Sequence, residues 1–181
     1  MSLFLHLPHK RERIRLRKLR PSDFRAFHAY RGDPDVARYQ GWEPMSQDEA
    51  MQFLREYGRN AGLEPGEWAQ LGIALSEDDH LIGDAGLWLG PDGRRAEFGI
   101  SLHRDFQGRG YAREAGAALL DLLFAHTAVG QVRAATDVRN AACARMLQAL
   151  GMRLVDSAQT EYKGEMCTEQ VFVIEREERT R

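Results

Sequence analysis

The stretch that most constrains this chain runs from Arg95 to Thr127, "RAEFGISLHRDFQGRGYAREAGAALLDLLFAHT". Its first part alternates. Ala96, Phe98, Ile100 and Leu102 fall on one face, and Glu97, Gly99 and Ser101 on the other, which is the period of a strand. Its last part changes period. Ala112, Ala115, Leu119, Leu122 and His126 form one stripe of a long helix. Between them lies a turn with two glycines, Gly108 and Gly110. A strand that feeds a helix through a tight turn belongs to an α/β arrangement, and the helix must pack back on a sheet.

Such a turn has its own chemistry. The first amides of a helix lack intrahelical partners, and the helix dipole adds partial positive charge. Glycines let a phosphate approach the backbone, and Arg109 and Arg113 would add charge-assisted contacts. A P-loop is excluded, because no Gly-Lys-Ser/Thr ends the turn. A dinucleotide fingerprint needs a third glycine where Arg113 stands. The pattern Gln/Arg-x-x-Gly-x-Gly/Ala is satisfied in full by Gln107, Gly108, Arg109, Gly110, Tyr111 and Ala112. A plain glycine corner is the bland alternative.

The rest of the chain fits a mixed sheet. "RIRLRKL" reads as a first strand with one wet face. "PSDFRAFHAYRG" reads as a helix with Ser22 as N-cap and Gly32 as its stop. "DPDVARYQ" is a second short helix with Pro34 in its first turn. "SQDEAMQFLREYGRN" is a third, with Ser46 and Glu49 as a capping box. "EWAQLGIAL" and "HLIGDAGLWLG" are strands joined by the polar turn "SEDD". "VRAATDV" is a further strand, and "NAACARMLQALG" is a helix from Asn140 to a stop at Gly151. Two last strands lie at about "RLVDSAQTE" and "CTEQVFVIE". "REERTR" reads as a frayed charged tail.

Composition narrows the class. The 181 residues suit one domain. Formal net charge is -2, so the chain is not built to coat nucleic acid or an anionic membrane. Two cysteines, Cys143 and Cys167, fit free thiols in a reducing cytoplasm. No ligand spacing for zinc or another metal is present. The start, "MSLFLHLPHKRER", has too few apolar residues for a spanning helix or a signal peptide. "KRERIRLRKLR" is basic but lacks interleaved aromatics, and reads as a charged edge strand rather than a nucleic-acid strip.

"AEFGISLHRDFQGRGYAREA" resembles the coenzyme A loop of the GNAT superfamily of N-acetyltransferases. The resemblance is close to the branch of ribosomal-protein N-terminal acetyltransferases, the RimJ/RimL type. "RIRLRKLRPSDFRAFHAYRGDPDVARY" is similar to that branch's opening strand, helix and "DP-x-V" segment. "NAACARMLQALGM" is similar to its Asn-x-x-Ser motif with leucine-glycine-phenylalanine. The three segments stand in the family's order over about residues 13 to 174. The resemblance implies one GNAT domain over 1–181: an α/β (α+β) fold with a central mixed, mostly antiparallel sheet of about seven strands flanked by helices. A homodimer is plausible on the same ground.

The resemblance also implies a reaction, transfer of an acetyl group from acetyl-CoA to an amine by direct attack, without a metal. The pyrophosphate would sit on Gly108 to Arg113, with Gln107 in the same motif. The pantetheine arm would run beside Ile100, Ser101 and Leu102 like an added strand. A backbone amide near the thioester would polarise its carbonyl. Asn140 matches the asparagine that bonds the pantetheine, and is equally a good N-cap. Glu97 matches the glutamate that takes the amine's proton; an ion-paired surface glutamate beside Arg94 and Arg95 is the other reading. Cys143 stands where the branch has serine, and would return a proton to the leaving thiolate; a small buried helix residue is the alternative. Met152 replaces the aromatic after the glycine.

The acceptor site falls near "YQGWEPMSQDEA" and "SAQTEYKGEM". Trp42 and Glu43 are its candidate contacts, an aromatic wall and a carboxylate for an ammonium. Both equally fit a packed loop residue and a solvated one. The acceptor is a small-molecule or peptide amine. Two rivals remain: an acetyl-CoA-binding sensor without catalysis, and a Rossmann-type nucleotide binder.

Overall fold

A computed structural model describes residues 3–59 and 62–179. The strands are β1 (His9–Lys10), β2 (Ile14–Arg17), β3 (Trp68–Leu75), β4 (Leu81–Leu89), β5 (Arg95–Leu102), β6 (Gln131–Asp137), β7 (Arg153–Tyr162) and β8 (Glu165–Glu175). The helices are α1 (Phe24–Arg31), α2 (Pro34–Ala37), α3 (Gln47–Arg59), α4 (Tyr111–His126), α5 (Ala141–Ala149) and α6 (Arg176–Arg179). One mixed sheet has the order β1-β2-β3-β4-β5-β6-β8-β7. Every neighbouring pair is antiparallel except β5 and β6. The fold is the expected GNAT arrangement, with eight strands where about seven were read.

Each face of the sheet has its own core. On one, Leu119, Leu120, Leu122 and Leu123 of α4 pack against Ile14, Leu16, Leu71, Leu87, Phe98, Val132 and Phe172. Each such leucine, removed from water, contributes about 1.5–3 kcal/mol. On the other, Phe27, Tyr30, Ala50 and Leu54 of α1 and α3 pack with Leu19, Val36 and Leu81. Gly116 lets α4 sit close to the end of α5, since a Cβ there would meet Leu150 Cδ1 at 2.6 Å.

Several local readings hold. Pro34 stands in the first turn of α2, and Asp33, not singled out in the sequence, caps that helix by accepting from Asp35 N. Ser46 and Glu49 form the capping box of α3, at 2.7 and 3.3 Å. Asn140 caps α5, and Gly151 follows that helix with a φ of +86°.

Others change for tertiary reasons. A 3-10 turn, Pro21–Asp23, precedes α1, and Asp23 rather than Ser22 stands at its start. Asp23 is drawn there by Arg17, whose guanidinium it meets at 2.8 and 2.9 Å. That pairing, with Asp79 as a second partner, buries Arg17 on the face expected to be wet. Residues 3–12, a short extension before the first matched strand, pack onto the fold. Leu3 and Phe4 sit in the main core beside α4, which is why α4 buries a wider arc than one stripe. The tail does not fray over residues 176–179. It forms α6, where Arg176 donates to the carbonyls of Phe124, Thr127 and Val129 and so caps the end of α4.

One break in the sheet positions the site. The β5–β6 ladder covers Arg95↔Gln131, Ala96↔Val132 and Glu97↔Arg133, and then stops. Both strands continue, each held by its outer neighbour. They part beyond Glu97 and leave a cleft in the middle of the sheet.

Candidate active site

The edge of β5 that faces the cleft is fixed by alternation. His103 N donates to Ile82 O across β4 at 2.9 Å, so the main-chain groups of Ser101, Gly99 and Glu97 turn toward β4. Those of Ile100 and Leu102 turn toward the cleft, where β6 no longer pairs with them. Two of their carbonyls are met by side chains: Gln40 Nε2 donates to Ile100 O at 3.2 Å, and Gln107 Nε2 to Leu102 O at 3.0 Å. Ser101 is buried within the sheet.

Beyond Leu102 a 3-10 turn, Arg104–Phe106, leads into the glycine loop. Gly108 has a φ of +71° and Gly110 of +83°, a left-handed backbone that a Cβ would strain by about 1–2 kcal/mol per residue. Gly110 is the N-cap of α4. From Gly108 to Arg113, six consecutive amides have no hydrogen-bond partner among the described residues; the first helical bond is Glu114 N to Gly110 O. Arg109 and Arg113 are exposed and form no ion pair among the described residues. Unpartnered amides, left-handed glycines and free cations fit a pyrophosphate.

Arg13 holds this loop in shape. It donates to Arg109 O at 2.9 Å and to Glu114 at 2.8 Å, and lies over the Tyr111 ring at 4.5 Å. It was read only as part of a basic edge. Tyr111 also meets Phe106 edge-on, so its ring buttresses the loop from inside. Ala112 packs against the main core.

Glu97 stands at the point where the strands part. Its carboxylate meets Arg133 of β6 at 3.4 Å, not Arg94 or Arg95. Burial pushes its pKa up; Arg133 pulls it down and Glu169 pushes it up again. A carboxylate with a raised pKa is a better proton acceptor near neutrality. On α5, Asn140 Oδ1 accepts from Cys143 N at 3.2 Å. Its side-chain amide nitrogen has no partner among the described residues. Cys143 packs on the main core, and burial raises its pKa, while Thr136 of β6 opposes the rise. The thiol therefore keeps its proton at neutral pH.

The loop after α2 and the turn of the β7–β8 hairpin meet over the mouth of the cleft. The Tyr162 hydroxyl donates to Gln40 O, and Lys163 Nζ donates to Ala37 O and Trp42 O at 2.9 and 2.8 Å. Glu43 faces Lys163 Nζ at 3.4 Å. The Trp42 ring lies 4.4 Å from the Arg31 guanidinium. Arg31 in turn forms a buried pair with Asp84, which Tyr30 also bonds at 2.7 Å. Glu97, the Ile100 edge, the glycine loop and Asn140 thus border one cleft, while Trp42 and Glu43 belong to the clasp above it. Arg133, Gln40 and Thr136 were missed. Strand pairing places Arg133 and Thr136, the loop after α2 brings Gln40 to the edge of β5, and no local motif marks them.

In this geometry one strand parts from its parallel neighbour beside a helix start whose amides are unpartnered. Residues 13–153 match the acetyltransferase (GNAT) domain family, and the chain belongs to it. It is similar to uncharacterized N-acetyltransferase p20 of Bacillus licheniformis, 27% identical over 143 residues, 78% of this chain and 80% of that one. Its fold is similar to that of a GNAT-family acetyltransferase from Bacillus anthracis, with TM-score 0.83, 23% identity, and coverage of 93% of this chain and 98% of the other. It is also similar to that of the spermidine N-acetyltransferase from Vibrio cholerae, solved with CoA and spermine, at TM-score 0.79 and 20% identity, covering 93% and 98%. Among the described residues no three His, Cys, Asp or Glu side chains could hold a metal ion, and no helix is long and apolar enough to cross a membrane.

Proposed function

We propose that this protein moves an acetyl group from acetyl-CoA to a primary amine, on a protein N-terminus or a small molecule, by direct attack. One observation carries the reading. A single strand, β5, leads from Glu97 through the open edge at Ile100 to the six unpartnered amides of Gly108–Arg113.

Acetyl-CoA supplies the activated thioester. The chain's residues do the remainder. The amides of Gly108–Arg113 bind the pyrophosphate, with Arg109 and Arg113 beside them. Ile100 and Leu102 offer main-chain groups to the pantetheine, and Asn140 offers its amide nitrogen. Glu97 takes one proton from the amine nitrogen, directly or through water, so that the lone pair is free to attack. Cys143 gives a proton to the departing sulfur and regains one from solvent. The nitrogen loses a second proton by the same route as the sulfur leaves, so an ammonium and a thioester become an amide, a thiol and one proton released to solvent. The same reading takes residues 1–181 as one cytoplasmic domain of the RimJ/RimL type, consistent with two free cysteines.

The test is an acceptor screen with thiol detection, over peptides with Ala or Ser N-termini and over polyamines. Thiol release that depends on one amine supports transfer. Tight acetyl-CoA binding without acetylation of any amine would point to a sensor, and tight binding of NAD alone would overturn the reading.

A further inference from the structure

Glu97, Arg133 and Glu169 lie on one face of the sheet. Val132 and Ala134 of β6 belong to the main core, so alternation turns Arg133, Ala135 and Asp137 to the opposite side. Register places Glu97 of β5 beside Arg133, and Glu169 of β8 directly opposite Asp137. Between the two levels stands Ala135, whose methyl group leaves an arginine free to lean along the strand. Arg133 spans that interval. Its Nη1 meets Glu97 at 3.4 Å and its Nη2 meets Glu169 at 3.8 Å.

Two features separate this arginine from a structural ion pair. Neither of its contacts closes. A charge-assisted N–H···O bond measures about 2.7–2.9 Å, and Arg139 grips Asp137 at 2.7 and 3.1 Å. Arg133 is instead divided between two carboxylates. The second feature is the position of Glu169. Like charges directly opposite each other on neighbouring strands repel, and Arg139 is already engaged with Asp137. Sheet pairing therefore disfavours a glutamate at 169. Its carboxylate faces the guanidinium that also meets the candidate base, which points to a use in the cleft.

We propose that Glu169 is a positioning residue for the transfer: it takes over the Arg133 guanidinium when the acceptor's ammonium reaches Glu97. This rests on the reading of Glu97 as the base. Held tightly by Arg133 alone, Glu97 would resist protonation, and its neutralisation would leave the guanidinium without a counter-charge. With Glu169 alongside, one cation replaces another. The nitrogen gives a proton to Glu97, the carboxylate becomes neutral, and Arg133 stays paired through Glu169. The proton then passes to water, and the guanidinium is shared again. The charged groups that act on Glu97 are Arg133 from β6 and Glu169 from β8; β4 and β3 set the uncharged rings of Trp88 and Trp68 in the same row.

Glu169→Gln keeps the shape and removes the charge. A carbon-13 titration of the Glu97 carboxyl reads the result with no substrate present. With Glu169 neutral, Arg133 settles on Glu97, and the Glu97 midpoint moves to lower pH. In Arg133→Gln the midpoint moves to higher pH, and adding Glu169→Gln to that variant shifts it far less than in the wild type. Turnover follows the same order. With acetyl-CoA and an Ala-initiated peptide or a polyamine, whichever releases thiol, Glu169→Gln carries the acidic limb of kcat/KM to lower pH and lowers the plateau by up to about tenfold, since a weaker base takes the proton more slowly. A glutamate with a structural role alone would lower the plateau without moving the limb. A Glu97 midpoint unchanged by Glu169→Gln, or moved equally with and without Arg133, overturns the sharing. A moved midpoint together with full turnover in Glu97→Gln leaves the shared arginine standing and overturns Glu97 as the base.

Discussion

Glu97 and Arg133 are the last residues paired between β5 and β6, and their side chains meet at 3.4 Å where the strands separate. The ion pair thus sits at the inner end of the cleft, and Arg133 is the group that holds the Glu97 pKa down against burial. A base works only when ionised, so kcat/KM falls as pH drops through the raised Glu97 pKa. Arg133→Gln removes the opposing charge, and the acidic limb of the profile moves to higher pH. Glu97→Gln lowers kcat about 10²–10⁴-fold and leaves coenzyme affinity unchanged. Full turnover in Glu97→Gln would remove it from the mechanism.

In the proposed mechanism Cys143, as the acid, sets the opposite limb. Its pKa is raised by burial, and an acid must be protonated, so activity falls as pH rises through that value. Cys143→Ser keeps a proton donor whose own ionisation lies far higher. Its profile loses the alkaline limb while keeping most of kcat. Cys143→Ala loses both limb and rate. A profile unchanged in all three forms would make Cys143 a packing residue.

Gly110 tests the phosphate cradle. Its φ of +83° strains a Cβ, and that Cβ would also meet Arg13 Nη2 at 3.3 Å. Gly110→Ala therefore costs about 1–2 kcal/mol, felt as weaker coenzyme binding at constant kcat. Titration calorimetry with CoA reads it directly.

Asp84 tests the scaffold beneath the clasp. Tyr30 and Arg31 both bond it inside the protein, and Phe27, Trp42 and Phe53 surround the Arg31 guanidinium. Asp84→Ala leaves that charge buried and alone, at a cost of about 3–5 kcal/mol. Replacing both partners by apolar residues costs less than either single change. Urea unfolding of the three variants measures the difference.

What the sequence disclosed was what local chemistry determines. Gly108 and Gly110 stand out because few other residues adopt their backbone, and Asn140 because a helix start needs an acceptor. The Ser46–Glu49 box is a matter of spacing alone. The partner of Glu97 was hidden, because Arg133 reaches it only through the parallel register of β5 with β6, 36 residues apart in sequence. Arg17 looked wet until Asp23 and Asp79 closed over it. Leu3 and Phe4 were too few to show a period, yet both are core. The clasp of Tyr162 and Lys163 on the loop after α2 joins segments more than 100 residues apart, and no pattern in either announces the other.

Asp121, midway along α4, receives Arg11 from the start of the chain and Arg179 from its end. Segments from opposite parts of the sequence are therefore fastened to one residue of the helix that begins at the glycine loop, so a substitution at Asp121 releases both at once.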